Sequence, residues 1–376
     1  MRKYFRINIT NQISMAVGVV MLLFIVAGMY SVRVAEHALT NSIQTNAEAH
    51  LESISTDILE YLRVQSSMWR AYAQSDLAQS TLQGSNQEFA FLQNVSDIID
   101  TRDLQWRKVQ TGALNPLMRS LLDNELANDM RVRLEEFNRE FGFPIFGEIF
   151  VTNRFGANVA QTHRTSDYRQ DDEDWWQRAK TDGIFVSDVQ FDESSKAFST
   201  DLCIRIEDST HEFLGVLKVV LNIEEIRSII HRSSSALLQF ARNKIVLLNS
   251  KQQIILDSQG DHAPLSDGQS ILAGLWPLPQ TGAKSSQRLN KELNISNYAL
   301  GRSFEGTPRN YGLGWILVVE YDQAQIFAPI HHMERNSVLL GILTLLLAVI
   351  LSFAFILHIR RRISRLHAAA LDLAHG

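Results

Sequence analysis

Two long apolar runs near the ends of the chain restrict where everything between them can fold. The first covers residues 13–30, ISMAVGVVMLLFIVAGMY, and the second covers residues 337–359, SVLLGILTLLLAVILSFAFILHI. Neither contains Asp, Glu, Lys or Arg. A helix crosses the hydrocarbon of a bilayer in about 20 residues and satisfies its own backbone there, where water cannot. Both runs meet that length. Arg2, Lys3 and Arg6 precede the first, and Arg360, Arg361, Arg362 and Arg365 follow the second. Basic flanks stay cytoplasmic, so both termini are expected inside and residues 31–336 outside. The first run outlasts the apolar core of a cleaved signal, about 7–15 residues, and reads as an anchor.

The outer stretch must be a folded, ordinary domain. The chain is 45% hydrophobic and 20% charged, enough for two modest cores. A net charge of -5 and an outer compartment disfavour nucleic acid as a partner. Cys203 is the single cysteine, so burial rather than an internal disulfide has to hold the domain.

From Val34 to Tyr72 there is no Pro or Gly, and Leu51, Ile54, Ile58, Tyr61, Gln65, Met68 and Tyr72 recur three and four apart. That spacing predicts a long helix with one apolar stripe, continuous with the first span. Gly84-Ser85-Asn86 is expected to break it, with helices following at 87–102 and 115–141. From Ile145 the period becomes two. IFGEIFVT, a turn over Asn153-Arg154-Phe155-Gly156, and ANVAQT read as a hairpin. A short helix is expected over 171–180, with acids in its first turn, where they suit the dipole. FVSDVQFD, AFSTDLCIRIED and FLGVLKVVLN are extended, and 223–240 returns to helical spacing.

The order of events then repeats. KIVLLNS, a turn at Lys251-Gln252 and QIILDS echo the first hairpin, with Asn249 opposite Asn153. GWILVVEYDQAQI, from Gly314, echoes GVLKVVLNIEEI, from Gly215. Two matches in the same order predict two copies of one α+β unit. The middle of the second copy, 261–287, is rich in Gly, Pro, Ser and Gln and reads as loop. It has one tryptophan, Trp276.

The first copy carries something the second lacks: Asp171, Asp172, Glu173 and Asp174 directly before Trp175 and Trp176. Aromatic walls with a few polar groups line small-molecule pockets. The same pair can equally plug a core behind a short capped helix. Strand alternation puts Ala197, Ser199, Asp201, Cys203 and Arg205 on one face, and Val216, Lys218, Val220 and Asn222 on one face of the next strand. These mixed faces are expected to look toward the Trp pair. Asp201, Arg205 and Lys218 there either line a polar cavity or pair with one another. No nucleophile elbow, zinc-binding His-Glu-x-x-His, phosphate loop or dinucleotide fingerprint is present, so no catalytic residue is assigned to the chain. The consecutive acids point different ways on a helix, and His331-His332 lacks acidic or thiol partners at ligand spacing, so no metal site is assigned.

The layout resembles a double Cache sensory domain, most of all in DYRQDDEDWWQRA, SDVQFD and FLGVLKVVLNIEEI. The resemblance implies an α+β fold: a long N-terminal helix and two tandem PAS-like antiparallel-sheet units, flanked by two transmembrane helices. It implies a cytoplasmic N-terminus at 1–12, spans at 13–30 and 337–359, and a helical stalk at 31–104. The membrane-distal Cache unit then falls at 105–225, the proximal unit at 226–325 and a juxtamembrane segment at 326–336. The tail 360–376, RRRISRLHAAALDLAHG, resembles the first helix of a HAMP module through Leu366, Ala369, Ala370, Leu373, Ala374 and Gly376, with Arg362 where Pro is usual.

By function, the resemblance implies a bacterial inner-membrane sensor of the kind found in histidine kinases of two-component systems, chemoreceptors, cyclases and phosphatases. It implies a homodimer, a small periplasmic ligand, no cofactor, and an output domain that lies beyond Gly376 or on a partner protein. In the amino-acid-sensing branch an Arg-x-Trp-Tyr motif follows an upstream Tyr. Trp175 and Trp176 match the aromatic pair and Tyr168 the upstream ring, while Asp188, Phe191 and Asp192 match a ligand-touching loop. Glu173 replaces the carboxylate-clamping Arg, and Val220 replaces the amine-binding Asp, which points away from α-amino acids. With Asp201 from the mixed face, these residues form the expected ligand site. The competing expectation is an extracytoplasmic module that docks a partner protein. Enclosed tryptophans favour the ligand; exposed ones favour the docking module.

Overall fold

The computed structural model describes residues 9–110, 112–192, 196–237, 243–273, 275, 284–290, 295–304 and 313–375. Trp276, the basic residues Arg2, Lys3 and Arg6, the end of the helix expected over 223–240, and Gly376 lie outside them. The chain divides into a helical unit, 1–45 with 323–376, and a larger unit, Asn46–Asp322. The helical unit holds the start of α1 (Ile9–Ala73) and all of α9 (Gln323–His375). Both helices are long and apolar enough to cross a membrane. Their large side chains, such as Phe24, Leu343 and Phe353, are exposed, as lipid-facing residues are.

In the larger unit α1 buries Leu51, Ile54, Ile58, Leu62, Gln65, Trp69 and Tyr72. The stripe starts where the sequence puts it, then shifts from Tyr61 and Met68 to Leu62 and Trp69. A straight helix turns in 3.6 residues and drifts off a strict seven-residue repeat. Then come α2 (Asp76–Ala90), α3 (Val95–Arg107), α4 (Pro116–Leu122) and α5 (Glu125–Phe141). Gly84 lies inside α2 instead of breaking it; the break is at Ser75, which caps α2 by accepting from the Ala78 N–H. Asn124 caps α5 in the same way through Ala127, which divides the single helix expected over 115–141.

The first sheet contains β1 (Phe146–Asn153), β2 (Asn158–Gln161), β3 (Ile184–Val186), β4 (Gln190–Asp192), β5 (Ala197–Glu207) and β6 (Phe213–Asn222). Helix α6 (Asp174–Asp182) lies between β2 and β3 in the chain. The order is β2-β1-β6-β5-β3, with β4 also on β5, and every pairing is antiparallel. After α7 (Glu224–Leu237) come β7 (Asn243–Leu248), β8 (Ile254–Asp257), α8 (Gln269–Leu272), β9 (Lys284–Asn290), β10 (Ile295–Phe304) and β11 (Trp315–Asp322). Their order, β8-β7-β11-β10-β9, traces the path of the first sheet again. The start of β9 falls in the stretch that reads as loop. KSSQRLN has no apolar alternation, and its pairing with β10 makes it a strand.

The two sheets share more than topology. The Asn153 side chain accepts from the N–H groups of Phe155 and Ala157, and the Asn249 side chain accepts from those of Lys251 and Gln253. Both turns need a left-handed residue, Gly156 in one and Gln252 in the other. Thr162 Oγ1 receives the Ile149 N–H, and Ser258 Oγ receives the Ile245 N–H. The echo between the two stretches is therefore an echo of hydrogen-bond networks, not of composition alone.

Candidate functional site

Register decides which side chains of the first sheet meet. Phe150 lies opposite both Gln161 and Lys218, Thr152 opposite Val216, Lys218 opposite Cys203, and Val220 opposite Asp201. Directly opposed residues share a face, and alternate residues of a strand do too. One face therefore carries Glu148, Phe150 and Thr152 from β1, Lys218 and Val220 from β6, and Ser199, Asp201 and Cys203 from β5. Helix α6 covers this face: Trp175, Trp176 and Ala179 cluster with Phe150, Cys203 and Val216. The mixed faces do look toward the Trp pair, as alternation predicts.

Both indoles are enclosed, Trp175 at 8% and Trp176 at 1% exposure. Trp176 donates Nε1–H to Thr152 Oγ1 at 2.8 Å and meets Phe213 edge-on, which fixes α6 on the sheet. It also lines a cleft of about 240 Å³ with Ile99, Arg154, Phe155, Arg169 and Lys180. Trp175 packs edge-on against Phe150 at 5.8 Å. The Lys218 ammonium sits 4.7 Å from the centre of the Trp175 ring, a cation–π arrangement.

Beneath Trp175 lies a buried polar layer. Lys218 Nζ pairs with Asp201 Oδ2 at 3.0 Å, and Gln190 Nε2 donates to the same oxygen at 3.0 Å. Burial works against the Lys218 charge, yet the Asp201 carboxylate, with Glu148 as a lesser contributor, holds its pKa above the ordinary lysine value. Burial also raises the Cys203 thiol well above its usual range, so it is an inert neighbour here. On the same face, Gln161 Nε2 and Asn158 Oδ1 on β2, across β1 from Lys218, and Ser199 Oγ on β5 are buried and make no hydrogen bond within the described protein. Leaving one such group unsatisfied costs about 1–3 kcal/mol, so three in one layer are a substantial demand for partners.

The structure brings Trp175, Trp176 and Asp201 together and distributes the other expected residues around them. Tyr168 is fully buried in a second cluster with Trp106, Phe89 and Met118, and its hydroxyl accepts from Arg102 at 3.1 Å. Burial raises its pKa. Phe191 is exposed and meets Phe198 edge-on, and Asp192 ends β4 opposite Ala197. Asp188 faces the second sheet: Oδ1 accepts from Trp315 Nε1 at 2.9 Å and Oδ2 from Ser250 Oγ at 3.2 Å. Arg205 leaves the polar layer for Glu207 and the Lys180 carbonyl.

Helix α6 begins at Asp174, so Asp171, Asp172 and Glu173 precede it. Asp171 is held by Arg169, which also binds Asp100. Burial, then the nearby Asp167 and Asp172 charges, raise the Glu173 carboxyl above the usual range. Residues that the motif reading passed over are Glu148, Asn158 and Gln161. Their signal was available: polar side chains at inward positions of an otherwise apolar hairpin.

A family model described as Cache domain, dCache_1, matches residues 35–330. No curated protein matches the chain. Among solved structures it is similar to the sensor domain of the Vibrio cholerae histidine kinase DctB, at 15% identity and a TM-score of 0.41, covering 75% of this chain and 98% of that one. It is also similar to the extracellular domain of the putative histidine kinase rpHK1S-Z16, at 12% identity and TM-score 0.39, covering 70% and 97%. The ligand-binding domain of the Pseudomonas aeruginosa chemoreceptor PctC, solved with GABA, matches at 14% identity and TM-score 0.38, covering 70% and 100%.

Proposed function

Because the chain belongs to the Cache-domain family, we propose that it is a transmembrane sensor whose first sheet binds a small extracytoplasmic solute. One observation carries the reading: the buried face under Trp175, which holds a Lys218–Asp201 pair and, spread over the same face, three polar atoms that have no partner in the described protein. A ligand that supplies those hydrogen bonds recovers their cost, and the Trp175 ring closes one side. The contacts proposed for it are Trp175, Lys218, Asp201, Asn158 and Gln161. Glu173 and Val220 provide neither a carboxylate clamp nor an amine anchor, which favours a polar solute other than an α-amino acid. The burial of both tryptophans supports this reading over a protein-docking face.

The two sheets are read as the distal and proximal Cache units, and the two apolar helices as spans of a bacterial inner membrane with cytoplasmic termini. Ligand affinity that differs between two arrangements of the sensor sets how far the equilibrium moves. The change is carried through α9 and its HAMP-like tail to a histidine kinase-type output, in a homodimer. The test is thermal unfolding of the full chain in detergent micelles against panels of amines, carboxylates, polyols and amino acids. A solute at 100 times its Kd adds about 2.7 kcal/mol, which a melting curve resolves. The expected result is a shift that Trp175→Ala abolishes while the unliganded melt stays cooperative. A folded Trp175→Ala variant that still responds sinks the site, and silence across the panels favours the docking module.

A further inference from the structure

The segment between β3 and β4 is fastened on both sides, and Asp188 is its outer fastening. On the inner side, the Ser187 N–H binds the Asp201 carbonyl at 2.9 Å, and Ser187 Oγ receives the Asp201 N–H at 2.8 Å. Gln190 holds the Asp201 carboxylate that pairs with Lys218 under Trp175. On the outer side, one Asp188 oxygen takes the Trp315 indole N–H and the other takes the Ser250 hydroxyl. Oδ1 also receives the Val189 N–H, which holds the carboxylate in orientation. Trp315 is fully buried and opens β11, the central strand of the second sheet. β11 ends at Asp322 and α9 starts at Gln323.

We propose that Asp188 is the coupling residue of the sensor, joining the polar layer of the first sheet to β11 and so to the helix carrying the second apolar run. This rests on the sensor reading and names how that site is regulated. A contiguous set of contacts, Trp175 to Lys218 to Asp201 to Gln190 and Ser187, ends at one carboxylate with two donors on the second sheet. The Trp315 bond, at 2.9 Å to a carboxylate, is directional, so a shift of Asp201 moves the partners of Asp188 or breaks their bonds to it. Asp188 does not touch the Lys218–Asp201 pair, so losing it leaves the binding layer intact and removes only the coupling free energy between the two ends.

The test is hydrogen–deuterium exchange of the full chain in lipid nanodiscs, read over residues 314–322, with the binding layer perturbed by mutation instead of a ligand. Lys218→Gln is compared in the parent and in an Asp188→Asn background. In the parent, Lys218→Gln is expected to change exchange over 314–322 by about ten-fold; with Asp188→Asn the change falls below about two-fold. Trp175→Phe, as a milder perturbation, and Trp315→Phe, as a second way to cut the link, give the same pattern even where one variant folds poorly. Exchange over α6 checks that the first sheet stays folded. An equal response with and without Asp188, or no response in either background, overturns the proposal. No solute is added, so failure of the ligand screen and failure of this coupling are separate results.

Discussion

Lys218→Met is the sharpest test of the binding layer. The Lys218 side chain is 13% exposed and Asp201 3%, so removing the ammonium leaves a carboxylate in a site that water barely reaches. Breaking one partner of a buried pair costs about 3–5 kcal/mol, because the remaining charge loses its compensation. Gln190 still donates to Asp201, which places the expected loss near the lower end, about 3 kcal/mol. For a folded unit of this size that is a drop in Tm of about 6–12 °C. The double variant Lys218→Met with Asp201→Leu removes both charges and is expected to return to the parent Tm or to pass it, since apolar replacements of buried pairs are often neutral or stabilising by about 1–4 kcal/mol. The assay is thermal unfolding of the full chain in micelles, followed by tryptophan fluorescence, as a double-mutant cycle. A single variant within about 1 kcal/mol of the parent would show that solvent screens the pair, and the polar layer would lose its claim to be a desolvated site.

Two further outcomes are open to the same melting assay. A Cβ built on Gly215 falls 1.9 Å from the Thr152 carbonyl oxygen, a clash with backbone that cannot swing away, so Gly215→Ala is expected to abolish the cooperative melt where Gly84→Ala, in open space, leaves it intact. Burial holds the Asp167 carboxyl above its usual range, ahead of the opposing help of Gln170, Ser166 and Arg107. Such a group contributes stability that is present below the unfolded value of about 3.9 and is lost as pH climbs through its folded value. The Tm of Asp167→Asn relative to the parent is therefore expected to rise between about pH 3 and pH 7; a difference that falls or stays flat over that range refutes the assignment.

Local physics makes part of this fold readable. Alternation along AFSTDLCIRIED and GVLKVVLN needs no partner to be read, so the face shared by Asp201 and Lys218 is legible. Helix ends are less so. Gly84 breaks nothing because Asn86, two residues on, donates to the Leu214 carbonyl and accepts from the Arg154 N–H, and this docking on the first sheet outweighs the cost of one glycine. β9 is illegible because its strand character comes from β10. Asp188 reads as a ligand contact because its neighbours look like a binding loop. Its actual partners, Ser250 and Trp315, lie far along the chain, and no local pattern encodes such a pairing.

The two copies of the repeat diverge at equivalent positions of one strand. Sheet register makes Val318, opposite Val246, the counterpart of Lys218, opposite Phe150, and makes Ile316 the counterpart of Val216, so Trp315 takes the place of Gly215. Val318 is fully buried, so the second sheet has an aliphatic side chain at the position where the first has the ammonium of its ion pair. Val318 packs there with Val246, Leu248, Ile254 and Ile316, and the ion pair of the second sheet, Lys244 with Asp257 at 3.0 Å, lies further along the same face. The exchange of Gly215 for Trp315 does something different: it gives the strand a donor long enough to reach Asp188, between β3 and β4, at 2.9 Å. One architecture is thus specialised at two positions of one strand, toward a charge beneath Trp175 in the first copy and toward an apolar, donor-tipped strand in the second. A sensor requires that asymmetry, because a layer that yields to its ligand transmits nothing unless the element it pushes against does not yield.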